Sequence, residues 1–208
     1  MKDIFENIIL NNVWKIGGID TPCGQGSTVE YTENLRSELS NFLIRNNIVS
    51  MLDAPCGDFN WMSKISFPDN FKYIGGDISD TLINQNKENY KDVNFSVFDI
   101  TTDTFPEVDL LLCRDCLIHF SFSDIDKFFK NLINSKVKFI LLTNHRKDRY
   151  NSKDITTGDC RPINFTRAPY NFNSPIDVIH DTYGNFIERD LCLWSVNTIK
   201  KYLEGKKL

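Results

Sequence analysis

The stretch from Val49 to Trp61, Val-Ser-Met-Leu-Asp-Ala-Pro-Cys-Gly-Asp-Phe-Asn-Trp, constrains the fold more than any other. An apolar run ends on Asp53 and turns tightly through Pro55-Cys56-Gly57. It then meets Asp58, a residue suited to cap a helix over 60–65. A strand-turn-helix junction of this kind brings backbone close to a ligand in open α/β sheets. About 20 residues on, Tyr73-Ile74-Gly75-Gly76-Asp77 reads as a second strand closing on a carboxylate. That is the spacing at which nucleotide-binding α/β folds hold a ribose diol. The turn carries a single glycine, Gly57, so it gives a pyrophosphate no room against the backbone. A ligand with a ribose and no phosphate fits better. The plainer alternative is an ordinary βαβ turn with a satisfied surface Asp.

The rest of the chain keeps the same rhythm as far as Thr143. Strands are expected over 48–53, 71–78, 93–100, 108–113 and 137–143, the fourth apolar enough to be buried on both faces. Helical spacing marks 1–12, a helix from Ser27 or Thr28 to Arg45, a polar helix over 80–90, and one from Ser123 or Asp124 to Ile133. Alternation then fails over 144–175, which is read as a substrate lid because long irregular segments in compact folds are usually functional. Segments 176–183 and 191–196 flank a Gly184-Asn185 turn as a hairpin, and 200–208 reads as a fraying basic tail. The expected fold is α/β: a Rossmann-like, doubly wound, mainly parallel seven-stranded sheet with a C-terminal antiparallel hairpin and a lid after the fifth strand. One domain is expected over 1–208: a helical cap and loop (1–47), a core (48–143), the lid (144–175), and the hairpin with its tail (176–208).

Composition narrows the partners. The 208 residues carry a net charge of −4, which provides no overall basic field for nucleic acid. No window approaches the roughly 20 apolar residues of a membrane span, and the N-terminus lacks the pattern of a signal peptide. A cytoplasmic location is therefore expected, with the six cysteines reduced. Cys113 and Cys116 form a C-x-x-C without a second pair or a His pair at ligand spacing, so they are read as buried small hydrophobes. No metal site is expected.

In a parallel sheet the strand ends share one edge, which here collects Asp53, Gly57, Asp77, Asp99, Arg114, Asp115 and His119. Asp115 and His119 stand four apart and would share a face in a helical turn. A histidine titrates near neutrality and suits a general base, with the Asp to orient it; the alternative is a His119 that only packs at a strand end.

The run from Asp53 to Gly57, with Asp77, resembles motif I and the ribose acid of class I S-adenosylmethionine-dependent methyltransferases. The wider resemblance is to bacterial members of the D-x-P-C-G-D-F-N-W-M type. It extends from Trp14 and Gly24-x-Gly26-Ser27, through Cys113-Arg114-Asp115-Cys116, to Thr157-Gly158 and Arg161-Pro162-Ile163-Asn164. Asp159 and Cys160 depart from it, standing where a bulky aromatic belongs. Arg114-Asp115-x-x-x-His119 also looks like the R-D-x-x-x-H stretch of phosphoethanolamine methyltransferases, in which the His is catalytic. The resemblance implies S-adenosylmethionine as cofactor, with Asp99 at the adenine amino group and Ile78 and Ile100 about the ring. It also implies cofactor contacts from Trp14, Ser27, Arg36, Asp53, Pro55, Gly57, Trp61, Asp77 and Arg114, and catalysis by His119 with Asp115. The lid residues His145, Arg146, Arg149, Asn151, Arg161 and Asn164 are assigned to a small polar or anionic acceptor. The expected reaction is O-methylation, with a sugar or phosphate-bearing precursor of a surface polysaccharide as acceptor. N-methylation of a phosphorylated amine and non-catalytic nucleoside binding stay open, and the oligomeric state is not indicated.

Overall fold

Consecutive apolar residues such as Leu110–Cys113 lose contact with water on both sides only between two layers, and these residues form the middle of a seven-stranded sheet. The computed structural model describes residues 1–15, 17–148, 151, 153–182 and 189–205. Its strands are β1 (Ser50–Asp53), β2 (Lys72–Asp77), β3 (Asn94–Val97), β4 (Leu110–Cys113), β5 (Phe139–Asn144), β6 (Asp177–His180) and β7 (Asp190–Ser195). They lie in the order β3-β2-β1-β4-β5-β7-β6. The first five are parallel, and β7 runs antiparallel between β5 and β6. The chain winds outward from β1 to β3, then returns to place β4 on the other side of β1. That reversal opens a crevice beyond the carboxyl ends of β1 and β4.

Among the described residues five α-helices accompany the sheet: α1 (Lys2–Leu10), α2 (Glu33–Arg45), α3 (Asp80–Asn89), α4 (Phe122–Leu132) and α5 (Val196–Gly205). Alternate strand residues face opposite layers. Leu110 and Leu112 join a core with Leu35, Leu39 and Phe42 of α2, while Leu111 joins one with Ile125, Phe128 and Phe129 of α4. No helix among the described residues is long and apolar enough to cross a membrane.

Four local expectations are corrected. Asp58 caps no α-helix: its Oδ1 accepts from Asn60 N in a short turn, and only a 3₁₀ turn, Met62–Lys64, separates β1 from β2. The second helix starts at Glu33 rather than near Thr28, because Thr28 Oγ1 accepts from Tyr31 N and closes a separate turn. Ser121, rather than Ser123 or Asp124, caps α4 by accepting from Asp124 N. The tail is helical from Val196 to Gly205, with Val196, Ile199 and Leu203 buried at helical spacing. The Gly184-Asn185 turn lies outside the described residues.

The segment 144–175 is more than a cover. Ile163, Phe165, Tyr170 and Phe172 are buried in the core shared with α4 and β7, and Phe165 stacks on Phe172 at 5.8 Å. Its apolar residues carry no helical or strand period because the backbone there is irregular, held by side chains such as Asn164 and Asn151.

Close packing between β2 and β3 gives a stability test. A Cβ on Gly75 would lie 2.5 Å from Phe95 Cδ1, on the residue paired with it across the sheet. Gly75→Ala is expected to cost about 1–3 kcal/mol by overpacking. Urea denaturation checks this, and an unchanged midpoint would show that the ring moves aside freely.

Candidate active site

The crevice at the carboxyl ends of β1 and β4 holds a cavity of about 370 Å³. One end gathers the acids at the tips of β1, β2 and β3. Gly57 adopts φ +58°, a left-handed turn that turns its N–H to Asp77 Oδ2 at 3.0 Å, while Ser79 N donates to Oδ1 at 2.9 Å. Asp77 is buried, which pushes its carboxyl up to about 6 despite these two donors. Asp53 is also buried and sits at about 7, raised by burial and by nearby Asp77 and lowered in part by the Tyr73 hydroxyl 2.8 Å away. Beyond β3, Asp99 Oδ1 accepts from Thr101 N and Oγ1 at 2.8 and 2.6 Å. Ile78, Leu82, Phe98 and Ile100 line the space near these acids. In their ionised form these carboxylates only accept hydrogen bonds, so this end of the cavity suits a ligand that brings donors beside an apolar ring.

The other end carries His119, in a 3₁₀ turn after β4 (Leu117–His119). Its Nδ1 lies 2.8 Å from the carbonyl oxygen of Asp159. A carbonyl cannot donate, so Nδ1 carries the proton and the neutral ring keeps its lone pair on Nε2. Burial lowers the His119 pKa below its ordinary 6.5, against the opposing pull of the Asp159 carbonyl and Asp115. Trp14 stacks on the imidazole at 4.7 Å and 28°. His119 is therefore a neutral, oriented proton acceptor at the cavity wall.

Asp115 is not bound to His119, as the four-residue spacing suggested, because no helical turn forms between them. Asp115 sits at φ +51°, strained for a residue with a side chain, and its N–H donates to Thr143 Oγ1 at 2.8 Å. Its Oδ2 faces Arg189 Nη2 at 2.8 Å and Arg114 Nη1 at 3.6 Å. Burial raises the Asp115 carboxyl, but the two guanidinium groups more than reverse this, so it stays ionised. Asp181 completes the cluster by accepting from Arg114 Nε and Nη2 at 2.8 and 3.1 Å, and from Arg189 Nε at 3.1 Å.

Trp14, Ser27, Pro55, Trp61 and Arg114 also line the cavity. Arg36 does not: its Nη2 donates to Val29 O at 3.0 Å. Those residues assigned to the acceptor that the structure describes do not line the cavity either. His145 Nδ1 bonds within the irregular segment to Ile163, Arg146 pairs with Asp190, and Asn151 and Asn164 hold backbone carbonyls. Arg161 is buried against Phe120 O and the Phe122 ring, and Arg149 lies outside the described residues. In their place the fold supplies Arg189, Cys160 and Gln25. No sequence signal pointed to Arg189, since its partners Asp115 and Asp181 belong to different segments brought together only by the sheet.

The strand order, the antiparallel β7 and the crevice at the switch point, with the likeness to solved structures, together define a Rossmann-like methyltransferase fold. No protein-family model matches the chain, and no curated protein matches it. Among solved structures it is similar to magnesium protoporphyrin IX methyltransferase from Synechocystis PCC 6803 with bound S-adenosylhomocysteine, at TM-score 0.60 and 12% identity over 93% of this chain and 97% of that one. It is similar to Burkholderia thailandensis 1,6-didemethyltoxoflavin-N1-methyltransferase at TM-score 0.60 and 11% identity, over 93% and 86%. The PH0226 protein of Pyrococcus horikoshii OT3 aligns at TM-score 0.61 and 15% identity, over 88% and 97%.

The raised acids give a pH test. Asp53 titrates at about 7 when folded and near 3.9 when unfolded, so its favourable contribution is complete below the lower value and is lost as pH rises through the upper one. Asp53→Asn is expected to raise the melting temperature at pH 8.5, with the gain shrinking toward pH 5. A gain independent of pH would mean that Asp53 is not the group being neutralised.

Proposed function

We propose that this chain transfers the methyl group of S-adenosylmethionine to an oxygen of a small polar acceptor, a sugar or phosphate-bearing precursor of a surface polysaccharide. The observation that carries the reading is one cavity with a donor-seeking nucleoside slot at one end and a neutral, tautomer-set histidine at the other. The fold likeness to methyltransferases, two of them crystallised with S-adenosylhomocysteine, supports it.

Bound here, S-adenosylmethionine supplies an electrophilic methyl group on a sulfonium. Asp77 would accept from the ribose hydroxyls, Asp99 would take the adenine amino group, and Ile78 and Ile100 would hold the ring. The remaining acceptor capacity of the buried acids is met by ligand donors, which offsets their desolvation. Trp14 holds the His119 ring by stacking and shields it from water. His119 Nε2 takes the acceptor's proton as the oxygen attacks, while Arg189 and Asp115 provide the polar wall beside it. Positioning and proton removal together are what methyl transfer asks of the protein.

Asp77→Ala is expected to weaken cofactor binding at least tenfold, since charge-assisted hydrogen bonds are worth about 1.5–3 kcal/mol. Calorimetry with S-adenosylmethionine checks it, and unchanged affinity in a folded variant removes Asp77 from the slot. His119→Gln is expected to lower kcat by about 10²–10⁴-fold, assayed by methyl transfer from S-adenosylmethionine into fractionated polar metabolites. The base must be neutral, so kcat should be flat at higher pH and fall on the acid side below pH 6.5. That acid limb should vanish in His119→Gln; a variant retaining normal kcat would leave proximity as the whole mechanism.

A further inference from the structure

The carbonyl that sets the His119 tautomer belongs to residues 154–161, a segment that reaches back over the turn carrying the histidine. It satisfies five consecutive residues of that turn. Arg161 N donates to Ile118 O at 3.0 Å, Gly158 N to His119 O at 2.8 Å, and Arg161 Nη1 to Phe120 O at 2.6 Å. In the other direction, Ser121 N donates to Thr157 Oγ1 at 3.0 Å and Phe122 N to Asp154 Oδ1 at 2.7 Å. Thr157 Oγ1 is itself turned by donating to Asp124 Oδ2 in the first turn of α4.

Two further features tie the segment down. The Arg161 guanidinium lies 4.5 Å over the Phe122 ring and is 3% exposed, with Nε and Nη2 bonded to no protein atom. Burial lowers the pKa of this cation, against the opposing pull of Tyr170 and Asp154; among the described residues the ring face and the Phe120 carbonyl are its direct contacts. Gly158 adopts φ +109°, and a Cβ there would come within 2.8 Å of Ile4 Cγ2, so the segment also packs tightly under α1.

We propose that residues 154–161 are a strap whose docking holds His119 in the tautomer that leaves Nε2 free, with Thr157 and Arg161 as positioning residues rather than acceptor ligands. In water a neutral histidine favours the proton on Nε2, the nitrogen that must be bare for a base at the cavity wall. The strap reverses that preference by placing the Asp159 carbonyl at Nδ1. The proposal deepens the role given to His119 and rests on that reading only for its effect on turnover.

The test needs no identified acceptor. The chain has three histidines, so ¹⁵N-histidine spectra of the full chain with S-adenosylhomocysteine can be assigned by means of His119→Gln. Wild type is expected to show His119 protonated on Nδ1. Thr157→Val, which removes the acceptor for Ser121 N and the link to Asp124, should shift the ring to a majority of Nε2–H. Arg161→Met should do the same, with S-adenosylhomocysteine affinity within about threefold in both. Nδ1 protonation retained in both folded variants, or Nε2 protonation in wild type, overturns the proposal. If the tautomer shifts as expected while His119→Gln leaves methyl transfer intact, the strap stands and the general-base reading falls.

Discussion

Four charges at the carboxyl edge of the sheet, Arg114, Asp115, Asp181 and Arg189, hold the site together. Any one of them left alone in that position would be costly: removing one partner of a buried pair typically destabilises by about 3–5 kcal/mol. Two cations and two anions balance, and the side chains of Arg114 and Asp181 are 4% and 1% exposed. The cluster joins the end of β4 to chain 67 residues away, beyond β6. It also sets how near the N-terminal loop can come. A Cβ on Gly26 would lie 2.9 Å from both Arg189 Nη2 and Asp115 Oδ2, so glycine lets the loop 24–27 close the cavity directly over the ion pair.

Around this centre the ionisable groups divide into two chemical kinds. Asp53 and Asp77 are buried without a cation in hydrogen-bond contact, and burial pushes both up toward neutrality. Asp115, buried beside two guanidinium groups, is held ionised. His119 lies beyond hydrogen-bond contact with these carboxylates, and burial keeps it neutral. The same desolvation thus yields opposite protonation behaviour, decided by the neighbour each group meets. A base and a set of acceptors can then share one crevice near neutral pH.

Residues 144–175 do two jobs through one irregular backbone. Phe165, Tyr170 and Phe172 extend the core under α4, while 154–161 clasps the turn bearing His119. The polar residues that made the segment look like a substrate lid serve its own backbone, as Asn151, Asn164 and His145 do, or tie it to neighbouring chain, as Arg146, Asp154, Thr157 and Arg161 do. Irregular chain has no ladder to satisfy its amides and carbonyls, so side chains such as Asn151 and Asn164 must do it.

What was legible in the sequence came from short-range constraints. The apolar run into Asp53, the lone Gly57 and the acid at Asp77 prescribe strand, turn and a second strand ending on a carboxylate, because period, turn chemistry and spacing act within about 20 residues. The parallel strands, the antiparallel C-terminal pair and the meeting of Asp53, Gly57 and Asp77 at one end of the cavity were readable for that reason. The acceptor half was not. Asp115 and His119 are neighbours in sequence, yet Asp115 takes Arg189 as its partner and His119 takes the carbonyl of Asp159. A backbone carbonyl has no residue identity, and a guanidinium has no preferred sequence distance. Which of them meets a given side chain is decided only when β4, β5, β6 and the strap pack against one another.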